Sequence, residues 1–185
     1  MQTQIRAHSD SPPASTEQPS AVAAGVSQRP WLTVALAGLL AGAGDLIFAL
    51  VFYGFQGATP ARILRGIAAG LLGHDALTMG SWTVALGAAL HFFTAVCAAF
   101  VFYGLSRRIP FLTRRWALSG AAFGVGMFLF MHFIVIPLSR LHFHLPTLYN
   151  TVGELGSHIF LFGMVIAFGV ARARAAEPAS TSRAA

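Results

Sequence analysis

Four runs of apolar residues, each long enough to cross a bilayer, leave this chain few ways to fold. A hydrocarbon core about 30 Å thick needs about 20 helical residues at about 1.5 Å rise each. Backbone N–H and C=O groups have no water to bond inside lipid, so a span must satisfy its own ladder. The runs at 31–53, 82–103, 116–137 and 149–170 meet that length. Composition agrees, since 56% of residues are hydrophobic and 10% charged, where soluble domains carry roughly a quarter charged. The expected architecture is all-α: an antiparallel four-helix transmembrane bundle at 31–172 with short connections.

The amphipathic aromatic residues mark the same boundaries. Trp31, Tyr53, Trp82, Tyr103, Trp116 and Tyr149 are all the Trp and Tyr in the chain, and each lies at the end of a run. Trp and Tyr rings favour the headgroup level, where one edge is apolar and the other wet. Every basic residue is an arginine. Arg6, Arg29, Arg107, Arg108, Arg114, Arg115, Arg172, Arg174 and Arg183 fall on one side of the expected membrane, against Arg62, Arg65 and Arg140 on the other. The positive-inside rule then places both termini in the cytoplasm. Arginines spread over loop flanks account for the net charge of +6 by topology, and they argue against a nucleic-acid partner. The lipid bilayer is the partner this composition requires.

Residues 1–30 and 173–185 are rich in Ser, Pro, Gln and Ala and offer little to bury, so both are expected to be disordered cytoplasmic tails. Residues 1–28 lack the short basic region and early apolar core of a cleavable signal peptide. Cys97, the single cysteine, excludes an intramolecular disulfide and a thiolate zinc site, and reads as a small packing residue. In the first outer loop, Thr59 reads as an N-cap, Pro60 as the first helical residue and Gly73 as a C-cap. The intervening 60–72 segment is too short to span and is expected to lie in the outer interface, with Arg62 and Arg65 toward headgroups. His74 follows it, and His142 and His144 occupy the second outer loop.

Against this background Asp45, His91, His132, Glu154 and His158 are out of place, because ionisable groups within spans are costly and are functional-site candidates by default. Counted from the outer end of each run, Asp45, His91, His132 and His158 lie roughly 8 to 14 Å deep and Glu154 somewhat shallower. All five are therefore expected in one layer of the outer half. Small residues mark helix faces that meet neighbours: Gly38, Ala41, Gly42 and Asp45 form one row, and Gly87, His91 and Ala95 another. Glu154 and His158 stand one turn apart. His132 aligns with Gly124 and Phe128, the least clear facing of the five. Gly120 and Gly124 form a close-packing pair, serving either packing within the chain or self-association into a homo-oligomer. For any one intramembrane histidine the plain alternative is a hydrogen bond to a backbone carbonyl.

The segments His91-Phe92-Phe93, Met131-His132-Phe133 with Ile136-Pro137-Leu138-Ser139, and Glu154-Leu155-Gly156-Ser157-His158 resemble the YagU-like family of small four-helix bacterial inner-membrane proteins. The resemblance covers roughly residues 31–170 and implies fold and location, with no reaction attached. The residues themselves point first to a proton-coupled or pH-responsive membrane protein, because unperturbed His titrates near pH 6.5 and the cluster faces the outer half. A structural or assembly subunit is the alternative, in which the polar layer locks four helices in register. A transition-metal site would draw on His91, His132 and His158, with His74, His142 and His144 at the surface. A b-type haem would need two of the three buried histidines. The sequence requires no cofactor. Nucleophile motifs, Gly-rich phosphate loops and cofactor fingerprints do not occur in it, which argues against an enzyme. Ser157 beside His158 is no such motif, since adjacent helical residues point about 100° apart.

Overall fold

The computed structural model describes residues 29–140 and 147–177. Residues 1–28 and 178–185 of the expected tails, and His142 and His144, lie outside the described residues. Those residues form an all-α four-helix bundle, with helices α1 (Pro30–Gly54), α3 (Trp82–Arg108), α4 (Trp116–Leu138) and α5 (Leu148–Ala175) each long and apolar enough to cross a membrane. A shorter helix, α2 (Pro60–Leu72), joins α1 to α3.

Local chemistry sets the ends. Pro30 occupies the first turn of α1, where its missing N–H costs nothing. The Thr59 hydroxyl accepts from the Arg62 N–H at 3.3 Å at the start of α2, and Gly73 stops that helix with φ +88°, a conformation that strains other residues. The Thr147 hydroxyl accepts from the Asn150 N–H to cap α5. Helices α3 and α5 run to Arg108 and Ala175, past the apolar runs and into the segment expected to be a tail. Their last turns carry Arg107, Arg108, Arg172 and Arg174, whose cationic groups face the negative end of each helix dipole.

Helix contacts are made by small residues at close approach. A Cβ on Gly38 would sit 2.8 Å from Val96 Cα, and one on Gly42 2.9 Å from Ala95 Cβ, so α1 and α3 touch nearly backbone to backbone. Gly120 and Gly124 meet Gly163 and His158 of α5 in the same way. These two glycines thus make close contacts within the chain, the first of the two roles open to them in the sequence. Ala37 meets Gly169, and Phe52 covers Gly153, joining α1 to α5. In each pair residue numbers rise along one helix and fall along the other. The apolar core of Val34, Phe102, Ile166 and Val170 sits toward the arginine-rich end, while Leu40, Ile47, Phe93, Leu118 and Phe133 point outward, as a hydrocarbon surround requires. Cys97 is exposed on α3, a correction to its reading as a packing residue: its neighbours Val96 and Ala95 face α1 instead.

Helix α2 docks on α3, where a Cβ at Gly87 would fall 1.9 Å from the Leu64 carbonyl oxygen. Ala68 and Ala69 are fully buried there. Arg65, expected to face headgroups, instead lies half-buried and donates to the Leu77 carbonyl at 3.5 Å. The Arg140 N–H bonds the Gly70 carbonyl at 3.0 Å, so the end of α4 is tied to α2.

Two departures from α geometry bear on the polar residues. Met131–Val135 in α4 and His158–Gly163 in α5 are π-helical. In α4 the cause lies just ahead, because Pro137 offers no N–H to the carbonyl of Phe133 and its ring crowds that turn.

Candidate functional site

Three helices bring four of the five residues together. Glu154 of α5 is the hub. The Tyr53 hydroxyl of α1 donates to its Oε1, and His132 Nε2 of α4 lies 3.0 Å from its Oε2. The Glu154 backbone carbonyl, in turn, accepts from His158 Nδ1 at 2.9 Å. About one turn deeper, the Ser157 hydroxyl donates to Asp45 Oδ1 at 2.5 Å, linking α5 to α1 again. His158 Nδ1 is 3.9 Å from that same oxygen, too far for a hydrogen bond. With its proton committed to the Glu154 carbonyl, His158 is an electrostatic neighbour of Asp45. The four ionisable side chains keep between 12% and 21% of their surface exposed.

Tautomers follow from the partners. A carbonyl can only accept, so the nitrogen facing it carries a proton. His132 Nδ1 faces the Phe128 carbonyl at 3.0 Å and is therefore protonated. The gap between His132 Nε2 and Glu154 Oε2 then holds one proton when bonded: imidazolium with carboxylate, or imidazole with carboxylic acid. Both forms carry the same net charge. Both histidines donate to the carbonyl four residues before them, at the positions where the π turns begin.

His91 stands apart. Its Nε2 donates to the Gly42 carbonyl of α1 at 2.8 Å, the plain alternative for an intramembrane histidine. The expected five-residue layer is thus a four-residue network with His91 beside it. His132, whose facing was least legible, is fully engaged. Sequence reasoning missed Tyr53, taken as a headgroup-level ring, and Ser157, considered only as a nucleophile. Helical spacing offered a signal for Ser157: it lies one turn after Gly153, which packs under Phe52 of α1.

The geometry also bears on ligands. Among the described residues no three His, Cys, Asp or Glu side chains converge to hold a metal ion. His74 is exposed on the turn after α2. For haem, the Phe128 ring lies 4.1 Å from the His132 ring and 5.8 Å from that of His158. At Gly124 the α4 backbone approaches the His158 carbonyl so closely that a Cβ would lie 2.1 Å from it. A macrocycle has no room between those two histidines.

Comparison of the chain with family models, with curated proteins and with solved structures finds no match.

Proposed function

We propose that this multi-pass membrane protein resides in a bacterial inner membrane with both termini cytoplasmic, and that its outer-half network binds and exchanges a proton in response to external pH. The arginine distribution and the motifs similar to YagU-like proteins support the location. One observation carries the activity: the 3.0 Å contact between His132 Nε2 and Glu154 Oε2, with the other imidazole nitrogen already committed. A bond needing one shared proton fails in both directions. Removing the proton sets a lone pair against a carboxylate, and adding a second makes Glu154 a neutral acid, one of whose oxygens must turn from acceptor to donor against the His132 N–H or the Tyr53 O–H. The pair therefore titrates as a unit, and stability of the network should follow a bell-shaped pH profile.

The test uses Glu154→Gln. An amide can still accept from Tyr53 and donate to neutral Nε2, so the fold is retained, but the side chain cannot lose a proton. The alkaline limb of the thermal-stability profile should disappear while the acid limb persists. Proton release on a pH jump, followed with an indicator dye in lightly buffered proteoliposomes, should fall correspondingly. Glu154→Ala, which strands both partners, should cost about 1 to 3 kcal/mol at the maximum of the profile and less on either limb. A wild-type profile without limbs, or one unchanged in Glu154→Gln, overturns the proposal.

A second reading has its own observation. Tyr53, Glu154 and His132 join α1, α5 and α4, and Ser157 to Asp45 joins α1 and α5 a second time. A structural lock would use those same bonds. It predicts lost stability in Glu154→Ala with no proton release in wild type.

A further inference from the structure

The arginine-rich end carries a feature the outer network does not explain. Arg107, Arg108, Arg114, Arg115, Arg172 and Arg174 surround it, and Glu177 is the acid recorded beside them. Two helices end here, and each C-terminus contributes roughly half a negative charge. That and Glu177 offset only part of the six positive charges. Two of the six, Arg114 and Arg174, line a groove between the ends of α3 and α5 and the turn joining α3 to α4. Ser106, Thr113, Arg114, Ala171, Arg174 and Ala175 line it.

The two alanines add little bulk to the lining, and the two arginines supply its charge. Arg174 is held in place from one side: its Nη1 bonds Glu177, whose other carboxylate oxygen accepts from the Tyr103 hydroxyl at 2.5 Å. A guanidinium has five N–H donors in a rigid fork, so this anchoring leaves donors for the groove. Thr113 is half-buried beside Arg114.

We infer that this groove binds the phosphate of an anionic phospholipid headgroup. Three features favour a lipid over soluble phosphate. The groove lies at the ends of membrane-spanning helices, at headgroup level. Ile109 and Phe111, in the turn that forms one side of it, are exposed apolar residues suited to contact with acyl chains. Basic pockets between transmembrane helices at this level are a known way to hold acidic headgroups. The inference is independent of the outer network and survives its failure.

The experiment uses the full chain in detergent, titrated with phosphatidylglycerol or phosphatidylcholine, with bound lipid counted by native mass spectrometry. Phosphatidylglycerol should bind saturably and in preference to phosphatidylcholine. Arg114→Gln and Arg174→Gln should each weaken that binding about tenfold or more, as expected for loss of a charge-assisted hydrogen bond. Arg108→Gln, at the same end but outside the groove, should cost roughly fivefold or less, the scale of one surface charge. Arg114→Gln leaves the Tyr103, Glu177 and Arg174 contacts intact, so it decides the matter if Arg174→Gln misfolds. Equal losses in all three variants would reduce the effect to general charge attraction and overturn the site. Inorganic phosphate protecting Arg114 from a guanidine-directed reagent, with no preference for phosphatidylglycerol, would overturn the lipid assignment.

Discussion

Adding one methyl group to Gly124 should disturb both the fold and the polar network. Its Cβ would lie 2.1 Å from the His158 carbonyl oxygen and 2.7 Å from Ile159 Cα. Both are backbone atoms, so no side chain can rotate away. Restoring van der Waals contact requires α4 and α5 to separate by roughly 1 to 1.5 Å, and overpacking of this kind costs about 1 to 3 kcal/mol. Alanine is also the better helix former by roughly 0.5 to 1 kcal/mol, which would mask part of the loss. Gly126 supplies the control: it is on the same helix, nothing lies within 4 Å of its added Cβ, and it carries the same propensity gain. Gly124→Ala should therefore be about 1 to 3 kcal/mol less stable than Gly126→Ala, read by denaturant titration in mixed micelles with far-UV circular dichroism. The same separation would stretch the 3.0 Å His132 to Glu154 contact toward 4 Å, beyond hydrogen-bond range. The bell-shaped pH profile should flatten in Gly124→Ala alone. Equal stability of the two variants refutes the packing argument. A less stable Gly124→Ala with an intact pH profile refutes the coupling between helix crossing and network.

Three more perturbations separate parts of the structure. His91→Ala removes the bond to the Gly42 carbonyl and should cost about 0.6 to 1.5 kcal/mol while leaving both pH limbs in place; a changed profile would put His91 in the network after all. Gly87→Ala drives a Cβ into the Leu64 carbonyl of α2, so a cysteine at buried Ala68 should become reactive to a maleimide in that background and stay protected without it. Pro137→Ala restores a donor to the turn where α4 widens, and should straighten the π segment and turn His132 away from Glu154; retention of the alkaline limb would show that Pro137 does not cause the widening.

The parts of this molecule legible in the sequence were those fixed by the bilayer itself. Apolar length gave four spans, and turn chemistry at Thr59, Pro60 and Gly73 gave α2 its ends. The lengths of α3 and α5 were less legible, because arginines past the apolar run read as loop while they in fact complete the helix and meet its dipole. Row arguments on ideal helices found the α1 face of Gly38 and Gly42. They went wrong where a face serves two neighbours: Gly87 meets α2, while His91 and Ala95 meet α1. His132 was hardest because the small residues that mark the packing face of α4 end at Gly126, and only large apolar residues flank His132 itself.

The division of the bundle explains why the polar groups gather where they do. Toward the arginine-rich end, Phe102, Ile166 and Val170 fill the centre with well-packed apolar bulk, and no ionisable side chain could enter without displacing it. Toward the other end, glycines at 42, 124 and 153 and the serine at 157 let helices draw together, with the Phe92 and Phe52 rings packed over Gly42 and Gly153. Backbones there come close enough for a single side chain to reach across, as Tyr53 reaches Glu154 and Ser157 reaches Asp45. The two π turns lie in that same region, each beginning beside a histidine that donates to the preceding turn's carbonyl. Loosened ladders leave carbonyls for imidazoles, and an imidazole committed at Nδ1 has only Nε2 left to exchange a proton. In His132 that nitrogen meets a carboxylate. Helix geometry and proton position are thereby linked, because returning α4 to regular α geometry would withdraw the imidazole and losing the shared proton would remove the bond that holds it there.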